Sequence, residues 1–193
     1  MSSNMQLLVI RTSILGDQSS SNKLIDHWIA EHRPSHVIER NLAADPIPHL
    51  DGERFAAINA SEPNATQAPI QALSDELIAE IERADAIVIG LPMYNFGVPS
   101  QVKAWMDHLA RAGRTFRYTD QGPKGLLADK PVTVLATRGG AYADTPHDHQ
   151  APFVAQFLGF IGLKNVNFIY AETLASAQRD DVLASARSVI AAA

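Results

Sequence analysis

Four serines raise the first chemical question in this sequence. Ser13, and then Ser19, Ser20 and Ser21, fall between the apolar run MQLLVI and a stretch with helical periodicity. One serine suffices to cap a helix, by accepting from an orphan N–H of the first turn. The others leave spare hydroxyls at the positive end of a helix dipole, which is the physical description of an anion site. Two further stretches, PMYNFGVPS at 92–100 and TRGGAY at 137–142, also follow apolar runs. Tyr94, Phe96 and Tyr142 offer planar apolar surface, and Asn95 an amide donor and acceptor. Gly139 and Gly140 permit a turn at positive φ, or let backbone N–H groups approach the edge of a flat ring. An anion site beside a site for a flat ring suits a mononucleotide.

These stretches meet only if the elements before them are neighbours. Short β-rich runs recur near 5–11, 36–41, 85–91, 131–137 and 166–171, separated by helix-period segments at 20–32, 70–83, 99–113, 149–161 and 178–191. That alternation predicts parallel strands joined by crossover helices in a doubly wound α/β sheet, with strand order 2-1-3-4-5. In that order the first, third and fourth strands are adjacent, so the three stretches share one crevice at the carboxyl end of the sheet. The helix at 99–113 has a proline start and a glycine stop. Residues 42–69 are too long for a structureless connection; GERFAAINA within them reads as a short helix, and Pro46, Pro48, Pro63 and Pro69 as rigid turns or a pocket wall.

Composition narrows the chemistry. The chain of 193 residues is within the range of one domain, and it shows no linker, repeat or charge block. A net charge of −5 disfavours nucleic-acid binding, so an anion must be held by hydroxyls and local dipoles. With no cysteine there is no disulfide, thiolate nucleophile or cysteine-ligated metal, and redox chemistry needs a cofactor. There is no GxG, no GxxxxGK[ST] and no GxSxG, which disfavours a Rossmann dinucleotide, a P-loop and a serine hydrolase. His147, Asp148 and His149 read as a solvated helix start and not as a metal site. The start MSSNMQLLVIRTS has no secretory pattern and no run is long enough to span a membrane, so the expectation is a cytoplasmic protein without a membrane partner.

The pieces SILGDQSSSNKL, ALSDELIAEIERADAIVIGLPMYNFGVPSQVKAWMDHLARAGRTFRYTDQGPKGLL, TRGGAY and FLGFIG, in this order, resemble the FMN-dependent NADH:quinone oxidoreductases usually called azoreductases. The resemblance runs along nearly the whole chain and implies a flavodoxin-like fold with bound FMN. It assigns Ser13, Ser19, Ser20 and Ser21 to the FMN phosphate. Met93, Tyr94, Asn95 and Phe96, with Thr137, Arg138, Gly139 and Gly140, are assigned to the ribityl chain and isoalloxazine. It also implies a homodimer with sites at the interface and a substrate pocket lined by Tyr118 and Phe160, to which Tyr142 is added here. Surplus aromatic surface at Trp105, Phe116 and Tyr118, and a projecting arm at 114–126, are expected to serve the same interface. The implied reaction is ping-pong: NADH or NADPH reduces the flavin and leaves, and a quinone or azo compound is then reduced. No side chain is expected as an essential acid or base. The rival reading is a flavodoxin-like electron carrier or FMN-binding regulatory module without small-substrate turnover.

Overall fold

The computed structural model describes residues 5–192; the absence of a leader pattern read at residues 1–4 lies outside them. In chain order the elements are β1 (Gln6–Arg11), α1 (Ser20–His32), β2 (His36–Asn41), α2 (Gly52–Ile58), α3 (Gln67–Arg83), β3 (Ala86–Pro92), α4 (Ser100–Leu109), β4 (Phe116–Thr119), β5 (Gly122–Gly125), β6 (Val132–Thr137), α5 (Gln150–Ile161), β7 (Val166–Ala171) and α6 (Arg179–Ala192). The larger sheet is parallel, in the order β2-β1-β3-β6-β7. Counting only its own five strands, this is the 2-1-3-4-5 order expected from the sequence.

Alternation along β1 decides the layering. Leu8 and Ile10 join an apolar cluster with Leu77 of α3, Trp105 of α4 and Leu158 of α5. Leu7 and Val9 join another, with Leu24 of α1 and Ile190 of α6. A strand covered on both faces has no polar side to spare, and β3, at the centre of the sheet, is buried at every residue. The edge strand β2 is only half-covered and carries Glu39 and Arg40, charges that suit an exposed edge. Register then fixes the site: Arg11 is level with Gly90, Pro92 with Thr137, and Thr137 with Ala171. The segments that leave β1, β3, β6 and β7 therefore emerge side by side.

Several boundaries differ from the sequence reading. Helix α4 stops at Leu109, short of Gly113, because the buried Thr115 hydroxyl donates to the Leu109 carbonyl at 2.6 Å. Helix α3 begins at Gln67, where the Asn64 side chain accepts from the Thr66 and Gln67 amides. The short helix expected within 42–69 is α2, capped by Asp51. Trp105 and Phe116 are buried, 1% and 7% exposed, so of the three aromatics read as surplus surface only Tyr118, at 77%, is open. Among the described residues no helix is long and apolar enough to cross a membrane.

The 114–126 arm is an antiparallel hairpin, β4 paired with β5, and it docks on the end of α5. The Leu127 amide donates to Ile161 at 3.0 Å, and Gly125 lies so close that a Cβ there would fall 2.3 Å from the Gly162 nitrogen. Backbone cannot yield as a side-chain tip does. Gly125→Ala is therefore expected to lower stability by about 2–3 kcal/mol through overpacking, measured by urea denaturation; an unchanged midpoint would mean that the arm is not held by this contact.

Candidate functional site

Each serine of the opening loop has a different task. The Ser19 hydroxyl caps α1, accepting from the Asn22 amide at 3.1 Å, and it lies 3.0 Å from the Ser21 hydroxyl. Ser21 is fully buried beneath the start of the helix. The Ser13 hydroxyl accepts from the Leu15 amide and meets the Tyr94 phenol at 3.2 Å, tying the loop after β1 to the loop after β3. Ser20 faces a cavity of about 230 Å3, whose lining includes Ser13, Ser19, Tyr94, Thr137 and Arg179. The amides of Ser20 and Ser21 have no partner in the preceding turn, as is usual at a helix N-terminus.

The loop after β3 closes on itself. Tyr94 and Gly97 exchange backbone hydrogen bonds at 3.1 and 3.0 Å, with Asn95 and Phe96 between them at φ +50° and +66°. Positive φ at both central positions is the mark of a type I′ turn. Asparagine tolerates that conformation, whereas a phenylalanine there is strained. The turn is braced from below by Gln150, fully buried, which donates to the Pro92 and Gly97 carbonyls at 2.9 and 3.1 Å. Asn95 and Phe96 border a second cavity of about 270 Å3 with Met93, Gly139, Gly140 and Tyr142. The two cavities share Met93 and Gly139 and so form one cleft.

On the opposite wall the loop after β6 is clamped to the loop after β7. Leu174, Ala175 and Thr173 donate their amides to the carbonyls of Arg138, Gly139 and Gly140 at 3.0, 3.2 and 3.2 Å. Neither Gly139 nor Gly140 has positive φ, so the turn explanation for the pair does not hold. At Gly140 the requirement is space, because a Cβ would stand 2.9 Å from the Tyr142 hydroxyl. The amides of both glycines are without a partner among the described residues, as is the Thr137 hydroxyl, on a side chain lining the cleft in a residue only 5% exposed.

Arg138 sits at this wall, but its guanidinium is enclosed: it pairs with Asp148 at 2.9 Å and Glu172 at 3.1 Å and stacks 4.8 Å from the Tyr170 ring centroid. Burial, and after it the Asp148 carboxylate, push the Tyr170 phenol above its ordinary pKa. Asp148 also accepts from the Gln150 and Ala151 amides at the start of α5, and its neighbours His147 and His149 are exposed. Eleven of the twelve residues assigned to cofactor binding border the cleft, all but Ser21, and Tyr142 joins them. Tyr118 and Phe160 do not. Both contact Phe116, with ring centroids at 5.5 and 4.3 Å, and Phe160 lines a separate surface hollow with Phe153 and Phe157. No residue of 42–69 borders the cleft cavities.

The sequence reading missed Arg179, at the start of α6, whose Nη2 donates to the Ser20 hydroxyl at 3.0 Å. The signal available was a cation opening a helix whose next residues are Asp180 and Asp181, since the positive end of a helix dipole favours acids.

Fold and cleft define a flavodoxin-like protein, and the model of the family described as Flavodoxin-like fold matches residues 5–193. An FMN-dependent NADH:quinone oxidoreductase of Alcanivorax borkumensis is 50% identical, over 97% of this chain and 99% of its own length. One from Cellvibrio japonicus is 46% identical over 95% and 96%. Among solved structures, an FMN-dependent NADH-azoreductase from Bacillus anthracis in complex with FMN superposes with a TM-score of 0.87 at 25% identity, covering 97% of this chain and 96% of that one. The chain belongs to the flavodoxin-like family of FMN-dependent NADH:quinone oxidoreductases and azoreductases.

Strain at Phe96 gives a test of the cleft's construction. Phe96→Gly is expected to raise apoprotein stability by about 1 kcal/mol, because a left-handed L-residue is relieved. Thermal and urea unfolding measure it; a loss of stability would mean that the ring's edge contact with Tyr142, at 5.8 Å between centroids, outweighs the strain.

Proposed function

We propose that this protein binds FMN in the cleft and catalyses electron transfer from NADH, or NADPH, to quinones and aromatic azo compounds. The observation that carries the reading is the set of unpaired donors, the Ser20 amide, the Thr137 hydroxyl and the Gly139 and Gly140 amides, around one cleft with aromatic walls. Family membership supplies the reaction class. FMN fits these residues: a phosphate can be held without a lysine where a helix N-terminus and hydroxyls supply the donors.

When bound, FMN supplies the capacity to take a hydride from a nicotinamide and pass two electrons to an acceptor. The chain's own residues bind and orient. Ser19, Ser20, Ser21 and Ser13 frame the phosphate end, while Met93 to Phe96 and Thr137 to Gly140 frame the ring end. The strained Asn95–Phe96 turn holds an exposed aromatic at the mouth, the kind of preorganisation that backbone strain accompanies. In balance, NADH and one proton become NAD+ as a quinone becomes a hydroquinone, and an azo bond needs two such rounds for cleavage to amines. The doubly wound arrangement, supported by apolar clusters on alternate faces of β1, gathers the cofactor residues of one chain within one domain.

The same reading places the active unit in a homodimer. Tyr118 is 77% exposed on a hairpin arm, and Phe160 lies outside the cleft of its own chain, so both suit covering the cleft of a second copy. Phe153, 37% exposed in the same hollow, supports an apolar contact there.

Because one cleft must be vacated before the next substrate enters, initial rates at several fixed quinone concentrations are expected to give parallel double-reciprocal lines against NADH. Convergent lines would overturn the ping-pong order, and an FMN-loaded protein that oxidises no NADH with any benzoquinone would overturn the enzyme reading. Sedimentation velocity is expected to give a dimer at assay concentrations; a fully active monomer would contradict the shared cleft.

A further inference from the structure

The loop after β7 contributes a charge that the sequence reading did not use. Arg179 is the first residue of α6, a position where the helix dipole disfavours a cation. Among the described residues it makes no ion pair, although Asp180 and Asp181 follow it directly. Among the described residues its side chain makes one hydrogen bond, from Nη2 to the Ser20 hydroxyl at 3.0 Å, and it lines the cavity into which Ser13, Ser19 and Ser20 open. In a chain of net charge −5, a guanidinium at the mouth of a serine-lined cavity without a carboxylate partner calls for an anion.

We propose that Arg179 is the charged ligand of the cofactor's phosphate, and that it makes the cleft select a phosphomonoester dianion over the uncharged ribityl alcohol. The inference rests on the reading of this cavity as the phosphate end of an FMN site. It changes how that end works: the dianion is held by a full positive charge in addition to hydroxyls and helix amides. Ser20 is the intermediary. Its oxygen accepts from Arg179, which leaves its own proton to donate to a phosphate oxygen. A hydroxyl that accepts from a cation is a stronger donor, because polarised hydrogen bonds reinforce one another. The bond also joins the N-termini of α1 and α6, which pack together, so the phosphate faces two helix ends and one guanidinium. Arginine, with several N–H donors in a fixed fork, can keep the Ser20 bond and still address phosphate oxygens.

The test is binding of FMN and of riboflavin by the apoprotein, followed by quenching of flavin fluorescence, for the wild type, Arg179→Gln and Arg179→Lys at low and high salt. Riboflavin has the same ring and side chain without the phosphate, so it reports on the rest of the cleft. The wild type is expected to prefer FMN. Arg179→Gln should weaken FMN by about tenfold, the scale of one lost charge-assisted contact at a partly open site, and leave riboflavin unchanged. Arg179→Lys should recover part of the loss. The FMN affinity of the wild type should fall with salt more steeply than that of Arg179→Gln, as screening of a charge pair requires. If the wild type prefers FMN and Arg179→Gln binds it equally well, the role of Arg179 is overturned and the phosphate site stands. If Arg179→Gln weakens both flavins alike, the arginine only props the loop and the proposal fails. A wild type that does not distinguish FMN from riboflavin overturns the phosphate reading itself, and this inference with it.

Discussion

A single buried arginine organises the working end of this molecule. The Arg138 side chain is fully enclosed between the carboxylates of Asp148 and Glu172, and such a charge is tolerable only when paired, since removing one partner of a buried pair costs about 3–5 kcal/mol. Each carboxylate carries further load. Glu172 accepts the Tyr142 and Ala143 amides at 2.7 and 2.9 Å, and Asp148 accepts the first amides of α5. One guanidinium thus fixes the loop after β6, the loop after β7 and the start of α5 relative to one another. The backbone bonds from Thr173, Leu174 and Ala175 to the 138–140 carbonyls follow from that alignment. Thr173 adopts φ +59° within it, a conformation costly for a β-branched residue and tolerable only where the surroundings dictate it. The consequence for function is that carbonyls of the glycine pair are used up on the β7 side while its amides stay available to the cleft.

The other wall depends on the same helix start. Gln150, two residues after Asp148, holds the Pro92 and Gly97 carbonyls, so the strained turn at Asn95–Phe96 is pinned by a side chain whose position is set through Asp148 and Arg138. The serine end of the cleft is built separately, by α1 packing on β3 and by the Ser13–Tyr94 contact that links the loops after β1 and β3. The walls of a site assembled this way are braced by the protein's own hydrogen bonds, which suits the positioning of a flat ring against a second flat substrate.

The regular layers were legible in the sequence because they rest on local pattern. The five parallel strands and their crossover helices follow from apolar runs separated by helix-period segments, and the meeting of three loops at one cleft from the topology those elements impose. The burial of Trp105 follows from local pattern too: 102, 105, 106 and 109 are one face of a helix, and all four are buried. The β4–β5 hairpin was not, since GPKG has neither alternation nor β-branched residues, and it is held by contacts to a distant helix end. The roles of Arg138 and Arg179 were hidden for the same reason. The partners of Arg138 lie 10 and 34 residues away, and the partner of Arg179 lies 159 away; local composition cannot distinguish an arginine that is walled in from one that faces a ligand.

The central claim is that the ends of β1, β3 and β6 form one mononucleotide site, with the phosphate at the start of α1 and the ring across the 93–96 and 137–140 loops. A crystal structure of the protein grown with FMN tests it most directly. The account predicts phosphate oxygens within hydrogen-bond distance of the Ser19–Ser21 turn and the isoalloxazine edge on the Gly139 and Gly140 amides. A flavin seated instead on the Phe153–Phe160 face, or a phosphate away from α1, would contradict it.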